Sequence, residues 1–343
     1  MSKTRDHAQL SKGQKALTSM KQMISLRELG LGLFIIVLSL AIQARNPAFL
    51  TVRNLTSLMV NTSILAIMAV GMMMVLITRG IDLSIGSIMA FTGMVAAMIV
   101  MQNPTIHPFL ALLIGTTLGM AVGGLTGFLV SFYGILPIIA TLGMMNVVRG
   151  MTYVVSGGRW ISSYQMSDQF KGIATGTFMG INNLVWVAIW VFVLAAIFLN
   201  HTKTGRQIYA VGSNPEAAEI SGLPKRRIIL LVYVLMGGLA GLGGVLWVAR
   251  FASAQGNTAI GYELNVIAAC ILGGVSISGG VGKITGLLLG TLLLGILNNA
   301  LPLINVSPFW QMGIQGTIIL AAVLTNVIVK RRTDSRALSR RPI

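Results

Sequence analysis

The chain has 343 residues, of which 55% are hydrophobic and only 10% are charged, whereas about 25% of the residues of a soluble globular protein are charged. Its net charge of +17 comes mainly from Lys and Arg in three short segments beside apolar runs, 1–28, 201–227 and 330–343. This composition excludes a soluble globular protein, and this charge placement is typical of membrane orientation signals. We therefore expect a membrane protein without a nucleic-acid partner.

Long uncharged runs dominate the chain. Residues 54–78, 83–148, 172–202, 228–249, 264–282 and 284–329 contain no Lys, Arg, Asp or Glu. One membrane span needs about 20 apolar residues, and backbone inside a bilayer must satisfy its own hydrogen bonds, which favours helices. The sequence predicts an all-α polytopic protein with about ten transmembrane helices within residues 29–329. The predicted spans are 29–44, 60–78, 84–102, 109–131, 137–155, 183–200, 228–249, 264–280, 284–301 and 309–329.

The basic segments predict the orientation of these spans. The positive-inside rule places residues 1–28, the 201–227 loop and the 330–343 tail in the cytoplasm. Six spans before the loop and four after it satisfy that arrangement. The first span lacks the features of a cleaved signal peptide and is expected to be retained. The single cysteine, Cys270, lies in an apolar run, which excludes a disulfide framework.

The turn "TRGIDLSIGS" (Thr78 to Ser87) places charges between two apolar spans. Ionisable groups at membrane depth are costly and often mark a pathway or an ion pair. One interpretation is an ordinary turn in which Arg79 and Asp82 pair. The other is a functional break in helical structure beside the translocation path, which makes Asp82 and Ser84 pathway candidates.

Glycine recurs every fourth residue at positions 115, 119, 123 and 127, and the spacing returns at 237 and 241. Small residues at this spacing let two helix backbones approach closely in a membrane. Close packing within one bundle is the simpler interpretation, and contact between subunits is the alternative.

The 201–227 loop contains the polar stretch "RQIYAVGSNPEAAEISGLPKRR". Asn214 and Pro215 are typical of a helix start, with Glu216 in the first turn. Gly222 and Pro224 are expected to end that helix. The segment is either a solvated connection or one or two short helices that bind a partner at the inner surface.

Polar residues in the remaining spans are candidates for solute contact. Glu263 begins a span, where a helix N-terminus alone can explain an acid, and a binding role is the alternative. The uncharged candidates are Asn61, Asn146, Asn298, Asn299 and Gln311. Each can hydrogen-bond a neutral polar solute, although hydrogen bonding between helices is the simpler explanation.

The sequence lacks the motifs of an energy-coupling enzyme. "GGVGKIT" (Gly279 to Thr285) has Ile284 where a phosphate-binding loop requires Ser or Thr after the lysine. The three histidines lie far apart, and no catalytic or metal-binding set is visible. We expect no catalytic residue, no metal and no bound cofactor in this chain.

Several segments resemble one known family. "EAAEISG" (Glu216 to Gly222) matches the EAA-xxx-G pattern of bacterial ABC import permeases. The stretches "AIMAVGMMMVLITRGIDLSIGS", "GRQIYAVGSNPEAAEISG", "GYELNVIAACILGGVSISGG" and "LGILNN" look like the ribose-type monosaccharide permeases. The resemblance covers residues from about 30 to 329.

The resemblance implies a function and partners. It implies an inner-membrane permease that translocates a monosaccharide, with ATP hydrolysed on a separate ATPase subunit. Glu216, Ala217, Ala218 and Gly222 would couple the chain to that subunit. A periplasmic or extracellular sugar-binding protein, a second permease chain (the same or a sister chain) and membrane lipid complete the expected partners. The alternatives are a sugar-derived signalling molecule as substrate, or a secondary sugar carrier.

Overall fold

The computed structural model describes residues 26–307 and, beyond them, positions 310, 313, 316, 317, 320 and 324. The tail and most of the predicted N-terminal segment and tenth span lie outside these residues. The described helices are α1 (Leu26–Arg45), α2 (Val52–Ile77), α3 (Ile85–Gln102), α4 (Pro108–Ser131), α5 (Pro137–Ser156), α6 (Asp168–Thr175), α7 (Asn183–His201), α8 (Lys203–Ser213), α9 (Pro215–Ile220), α10 (Lys225–Phe251), α11 (Tyr262–Leu272) and α12 (Ile284–Leu303). A 3-10 turn (Ser163–Gln165) and a two-residue hairpin of β1 (Thr177–Phe178) and β2 (Ile181–Asn182) complete the elements.

The all-α polytopic prediction is confirmed for the described residues. Eight helices there are long and apolar enough to cross a membrane: α1, α2, α3, α4, α5, α7, α10 and α12. α2 is the central helix, with 94% of its most apolar window buried, whereas α1 lies at the periphery with 11% buried. The exposed apolar side chains of α1, such as Leu33 and Phe34, suit a lipid-facing position.

The predicted span 264–280 is wrong as a single helix. α11 ends at Leu272 after 11 residues, which is about 16 Å of helix against about 30 Å of hydrocarbon. Residues 273–283 are not helical, and Gly274, Gly279 and Gly280 adopt positive φ. Glycine adopts positive φ readily, but this conformation does not continue an α-helix. The segment is therefore apolar enough to resemble a span in the sequence, yet its backbone is too irregular to extend α11.

The repeated glycines bring α4 and α10 together within one bundle. A Cβ at Gly119 would overlap the carbonyl oxygen of Gly237, and a Cβ at Gly237 would overlap that of Gly119. A Cβ at Gly241 would likewise overlap the carbonyl oxygen of Gly115. The interpretation of close packing inside the bundle is therefore confirmed at these positions, because any side chain there would separate the two backbones.

Candidate functional site

Two features stand at opposite ends of the bundle. A cavity lies towards the end where α10 finishes and α11 begins, beside residues 61–65 in the middle of α2. The short helices α8 and α9 lie at the other end, where α8 contacts the chain just after the C-terminus of α2. We call these the cavity end and the joint end. α11 and the segment 273–283 run between them, so the geometry of both ends decides what the protein can do.

The cavity has a volume of about 260 Å³ and lies between α2, α10, α11 and α12. It is lined by Asn61, Thr62, Ile64, Leu65, Trp247, Arg250, Phe251, Tyr262, Asn265, Gly295, Asn298 and Asn299. Amides, one guanidinium and three aromatic rings therefore surround one space. Amide groups both donate and accept hydrogen bonds, and guanidinium donates, so the lining suits a polar solute.

Arg250 links two helices at the rim of the cavity. Its guanidinium donates a hydrogen bond from α10 to the side-chain oxygen of Asn61 on α2. The guanidinium carbon also lies 5.2 Å from the ring centre of Phe251. Among residues 26–307, no carboxylate forms an ion pair with Arg250. The cavity therefore carries a positive charge that neighbouring amide and aromatic groups stabilise.

Aromatic side chains form one wall. The rings of Trp247 and Tyr262 meet edge to face at 5.2 Å, and the Trp247 and Phe251 rings lie 4.8 Å apart. Such pairs contribute about 0.5–1.5 kcal/mol beyond the apolar area they bury. The contact fastens the start of α11 to the end of α10.

The structure brings together some of the predicted pathway residues and separates others. Asn61 and Asn298 both line the cavity. Asn146 is exposed on α5, and its amide donates to the carbonyl of Leu142 one turn earlier. Glu263 follows Tyr262 but does not line the cavity, and it lies within electrostatic range of Arg149. Gln311 lies outside the described residues.

Sequence reasoning missed Trp247, Arg250, Tyr262 and Asn265. Trp247 and Arg250 are three residues apart, as are Tyr262 and Asn265, and residues at this spacing share one helix face. That spacing is visible in the sequence. The meeting of the two faces requires knowing that the chain turns between α10 and α11 so that the Tyr262 ring reaches Trp247.

At the joint end, the predicted capping of α9 is confirmed. The Asn214 side chain accepts hydrogen bonds from the backbone N–H groups of Glu216 and Ala217, at 3.2 and 3.0 Å, and Pro215 is the first helical residue. The helix ends before Gly222, which has φ +77°. The segment therefore forms two short helices, α8 and α9.

α9 presents most of its surface to its surroundings. Glu216, Ala217 and Glu219 are exposed, and Ile220 is 87% exposed. Ala218 is buried and fastens the helix to the bundle. Ile220 therefore adds one exposed apolar side chain, next to Glu219, to a helix surface that is otherwise mostly polar.

Arg79 does not pair with Asp82, contrary to one interpretation of the 78–87 turn. Its guanidinium donates to the carbonyl oxygens of Gly212 at 2.7 Å and Ser213 at 2.6 Å. These carbonyls lie at the C-terminus of α8, where free acceptors and the helix dipole favour a cation. Arg79 adopts φ 65°, a costly conformation for a residue with a side chain, and these contacts help to hold it there.

Three chain segments meet beside Arg79, and we call this contact the joint: residues 77–80, 209–213 and 276–282. The N–H of Gly280 donates to the carbonyl of Ile77 at 2.9 Å. A Cβ at Gly212 would overlap that same carbonyl. The Tyr209 hydroxyl donates to the carbonyl of Gly282 at 2.8 Å, and burial raises the pKa of Tyr209 to about 12. The hydroxyl therefore stays a donor at neutral pH.

Asp82 is buried close to the joint. It follows the C-terminus of α2, whereas the cavity lies beside residues 61–65 of that helix. Its Oδ1 accepts hydrogen bonds from the Ser84 N–H at 2.9 Å and the Ser84 hydroxyl at 2.6 Å. Burial raises the pKa of the Asp82 carboxyl, and the Ser84 hydrogen bonds oppose that shift. Asp82 and Ser84 thus form a local hydrogen-bonded turn before α3, without a side-chain cap on that helix, and do not line the cavity.

Comparisons with known proteins agree with this architecture. A family model described as branched-chain amino acid transport system / permease component matches residues 54–323. The ribose import permease RbsC of Escherichia coli strain K12 is 42% identical over 294 residues, which cover 85% of this chain and 91% of the relative. RbsC of Bacillus subtilis strain 168 is 40% identical over 294 residues, covering 86% and 90%.

The relatives include a permease with another sugar in its name. The L-arabinose ABC transporter permease AraH of Azospirillum brasilense is 38% identical over 309 residues, covering 90% of this chain and 89% of the relative. No solved structure matches the chain. Membership of such a family implies an ATPase subunit and a substrate-binding protein as partners. The chain therefore belongs to the ribose-type family of sugar ABC transporter permeases, which are multi-pass proteins of the bacterial inner membrane.

Proposed function

We propose that this chain is the membrane subunit of an importer that moves a monosaccharide inward, driven by ATP hydrolysis on a separate subunit. The observation that carries the proposal is α9, a short exposed helix that is anchored through Ala218 and joined through α8 to the end of the central helix α2. A helix held in this way can receive a push from a soluble partner and pass it to the bundle. The relatives named for ribose and L-arabinose support a sugar as the substrate.

α9 is the proposed contact for the ATPase subunit. Glu216 and Ala217 are exposed on its first turn, and Gly222 has open space around it. The 87% exposed Ile220 supplies an apolar anchor of the kind that fills a pocket at an interface. ATP would bind and be hydrolysed on the partner, and this chain would hold no cofactor.

The joint is the proposed route from α9 to the cavity. Residues 276–282 contact α8 through backbone groups, and the same segment continues α11, whose Tyr262 and Asn265 line the cavity. A shift of α8 would therefore move α11 and change the cavity. Asp82 and Ser84, beside the joint, would fix the break between α2 and α3 and act on transport through it.

The proposed assembly contains two permease chains, two ATPase subunits and a sugar-binding protein that delivers the substrate from outside. α8 and α9 then face the cytoplasm, and the cavity faces the binding protein. Asn61 and Asn298 would lie on the sugar path.

Reconstitution tests this proposal. The full chain in lipid vesicles, with its ATPase subunit and binding protein, should accumulate D-ribose or L-arabinose against a gradient only when ATP is supplied. A secondary carrier would instead accumulate the sugar without the ATPase subunit when a proton or sodium gradient is imposed. Accumulation of that second kind would refute the ABC mechanism.

A further inference from the structure

We infer that the cavity between α2, α10, α11 and α12 is a binding site for one neutral monosaccharide ring, held by the permease itself. The inference rests on the proposed function and adds the residues that contact the sugar. It implies that the permease contributes to sugar selection in addition to the binding protein.

The size of the cavity indicates a single ring. Pockets for drug-sized ligands are typically about 300–1,000 Å³, and this cavity is about 260 Å³. It is therefore too small for an oligosaccharide and has room for a compact solute with several hydroxyl groups.

The lining matches the two kinds of surface on a sugar. Hydroxyl groups need partners that donate and accept, which the amides of Asn61, Asn265 and Asn298 provide. The C–H face of a sugar ring is apolar, and the Trp247 and Tyr262 rings supply an apolar wall. Among residues 26–307, the Arg250 guanidinium makes one hydrogen bond, to Asn61, although guanidinium has five N–H donors.

A pair of amides joins α2 to α12 at the cavity. Asn54 on α2 and Asn299 on α12 exchange two hydrogen bonds, at 2.9 and 3.1 Å. This pair braces the two helices at the wall of the cavity, which Asn299 also lines. Asn61 and Asn298 lie on the same two helices and line the same cavity, so their amides are within reach of a bound solute.

Labelling of a single cysteine tests the inference directly. Asn298→Cys and, in a second protein, Asn265→Cys place a thiol in the cavity, with native Cys270 fully buried. The full chain alone, in lipid nanodiscs, is treated with a maleimide with and without D-ribose or L-arabinose. Labelling should slow about fivefold when the sugar exceeds its dissociation constant about fourfold, because only the empty site reacts.

The controls separate binding from solvent effects. Asn146→Cys lies on the exposed face of α5 and should label at the same rate with and without sugar. The parent chain with Cys270 alone reports background labelling. If neither cavity cysteine is slowed by any tested pentose or hexose at concentrations that saturate transport, the inference is wrong.

A transport measurement distinguishes this inference from the proposed function. In the complete transporter, Asn298→Ala should lower sugar uptake about threefold to tenfold, as the loss of one hydrogen bond predicts, and change the ratio of D-ribose to L-arabinose uptake. ATP hydrolysis stimulated by the loaded binding protein should stay within about twofold of the parent. An unchanged uptake rate and ratio would overturn the site while the parent still transports. A parent that fails to use ATP would overturn the proposed function, whatever the labelling shows.

Discussion

The two ends of the bundle are built from different parts. At the joint, backbone meets backbone: Gly280 donates to Ile77, and Gly212 has no room for a side chain. At the cavity, side chains reach across open space, as Arg250 does toward Asn61. Tight backbone contacts transmit displacement with little loss, whereas side chains can change rotamers to admit or release a solute.

α11 connects the joint to the cavity. It is too short to cross the membrane by itself and contributes Tyr262 and Asn265 to the cavity. Its C-terminal extension forms one side of the joint. A solute pathway driven by a partner subunit requires a rigid contact to transmit the movement and an adaptable site to admit the solute. The joint is the rigid contact, and the cavity is the adaptable site.

The largest effect on uptake is expected from disrupting the proposed contact between α9 and the ATPase subunit. Glu216→Lys combined with Gly222→Trp reverses an exposed charge and places a bulky side chain at φ +77°, so docking of the ATPase should fail. We expect ATP-driven uptake to fall to the level of vesicles without the ATPase subunit. The amount of the variant protein in the membrane should stay the same as that of the parent. Normal uptake by the double variant would refute the role of α9.

The next effect tests the backbone contact itself. Gly280→Ala puts a Cβ at φ +73° and 2.7 Å from the Ser213 Cα, so the joint must open. We expect uptake to fall about tenfold, from a cost of about 1–2 kcal/mol for the left-handed conformation plus the clash. Gly134→Ala is the matched control, because Gly134 has φ +69° and an alanine Cβ there would meet no other atom within 4 Å. Equal losses in the two variants would mean that the contact itself contributes nothing.

A smaller effect is expected beside the joint. Asp82→Asn should lower uptake more than Asp168→Asn, because Asp82 is buried and hydrogen-bonded to Ser84. Asp168 is exposed and pairs with Lys171 on its own helix, so its loss should change little. The measurement is the uptake rate of each variant, normalised to the amount of protein in the membrane. A larger loss of uptake in Asp168→Asn than in Asp82→Asn would contradict a role of Asp82 in transport.

The smallest effect comes from a single hydrogen bond of the joint. Tyr209→Phe removes the donor to Gly282, a loss of about 0.5–1.5 kcal/mol. Uptake should fall about twofold to tenfold. Tyr133→Phe changes an exposed tyrosine and should leave uptake unchanged. A Tyr209→Phe protein with parental uptake would show that the joint does not depend on this bond.

Interactions between residues close in the chain made part of the fold predictable from the sequence. The Asn214 cap and the Gly222 stop of α9 follow from residues within one turn of each other. Asn61 and Asn298 were identifiable because an amide in an apolar span requires a partner. The family motifs predicted the transporter class.

Contacts distant in sequence were not predictable in the same way. Arg79 and Asp82 are close in the chain, so pairing was a reasonable interpretation, but the positive φ of Arg79 accompanies contacts with residues more than a hundred positions later. The apolar composition of 264–280 concealed the break after Leu272, because hydropathy does not register backbone conformation. Trp247 and Tyr262 meet through a different turn, residues 252–261 between α10 and α11.

The mechanical connection between α9 and the cavity can be tested by one measurement that involves both ends of the bundle. In the complete transporter, the labelling rate of Asn298→Cys in the cavity is followed as a non-hydrolysable ATP analogue is added to the ATPase subunit. We expect the nucleotide to change this rate severalfold, and we expect Gly280→Ala to abolish the change while the ATPase still binds nucleotide. A labelling rate that ignores the nucleotide, or one that responds equally with the joint opened, would contradict a mechanical connection between α9 and the cavity.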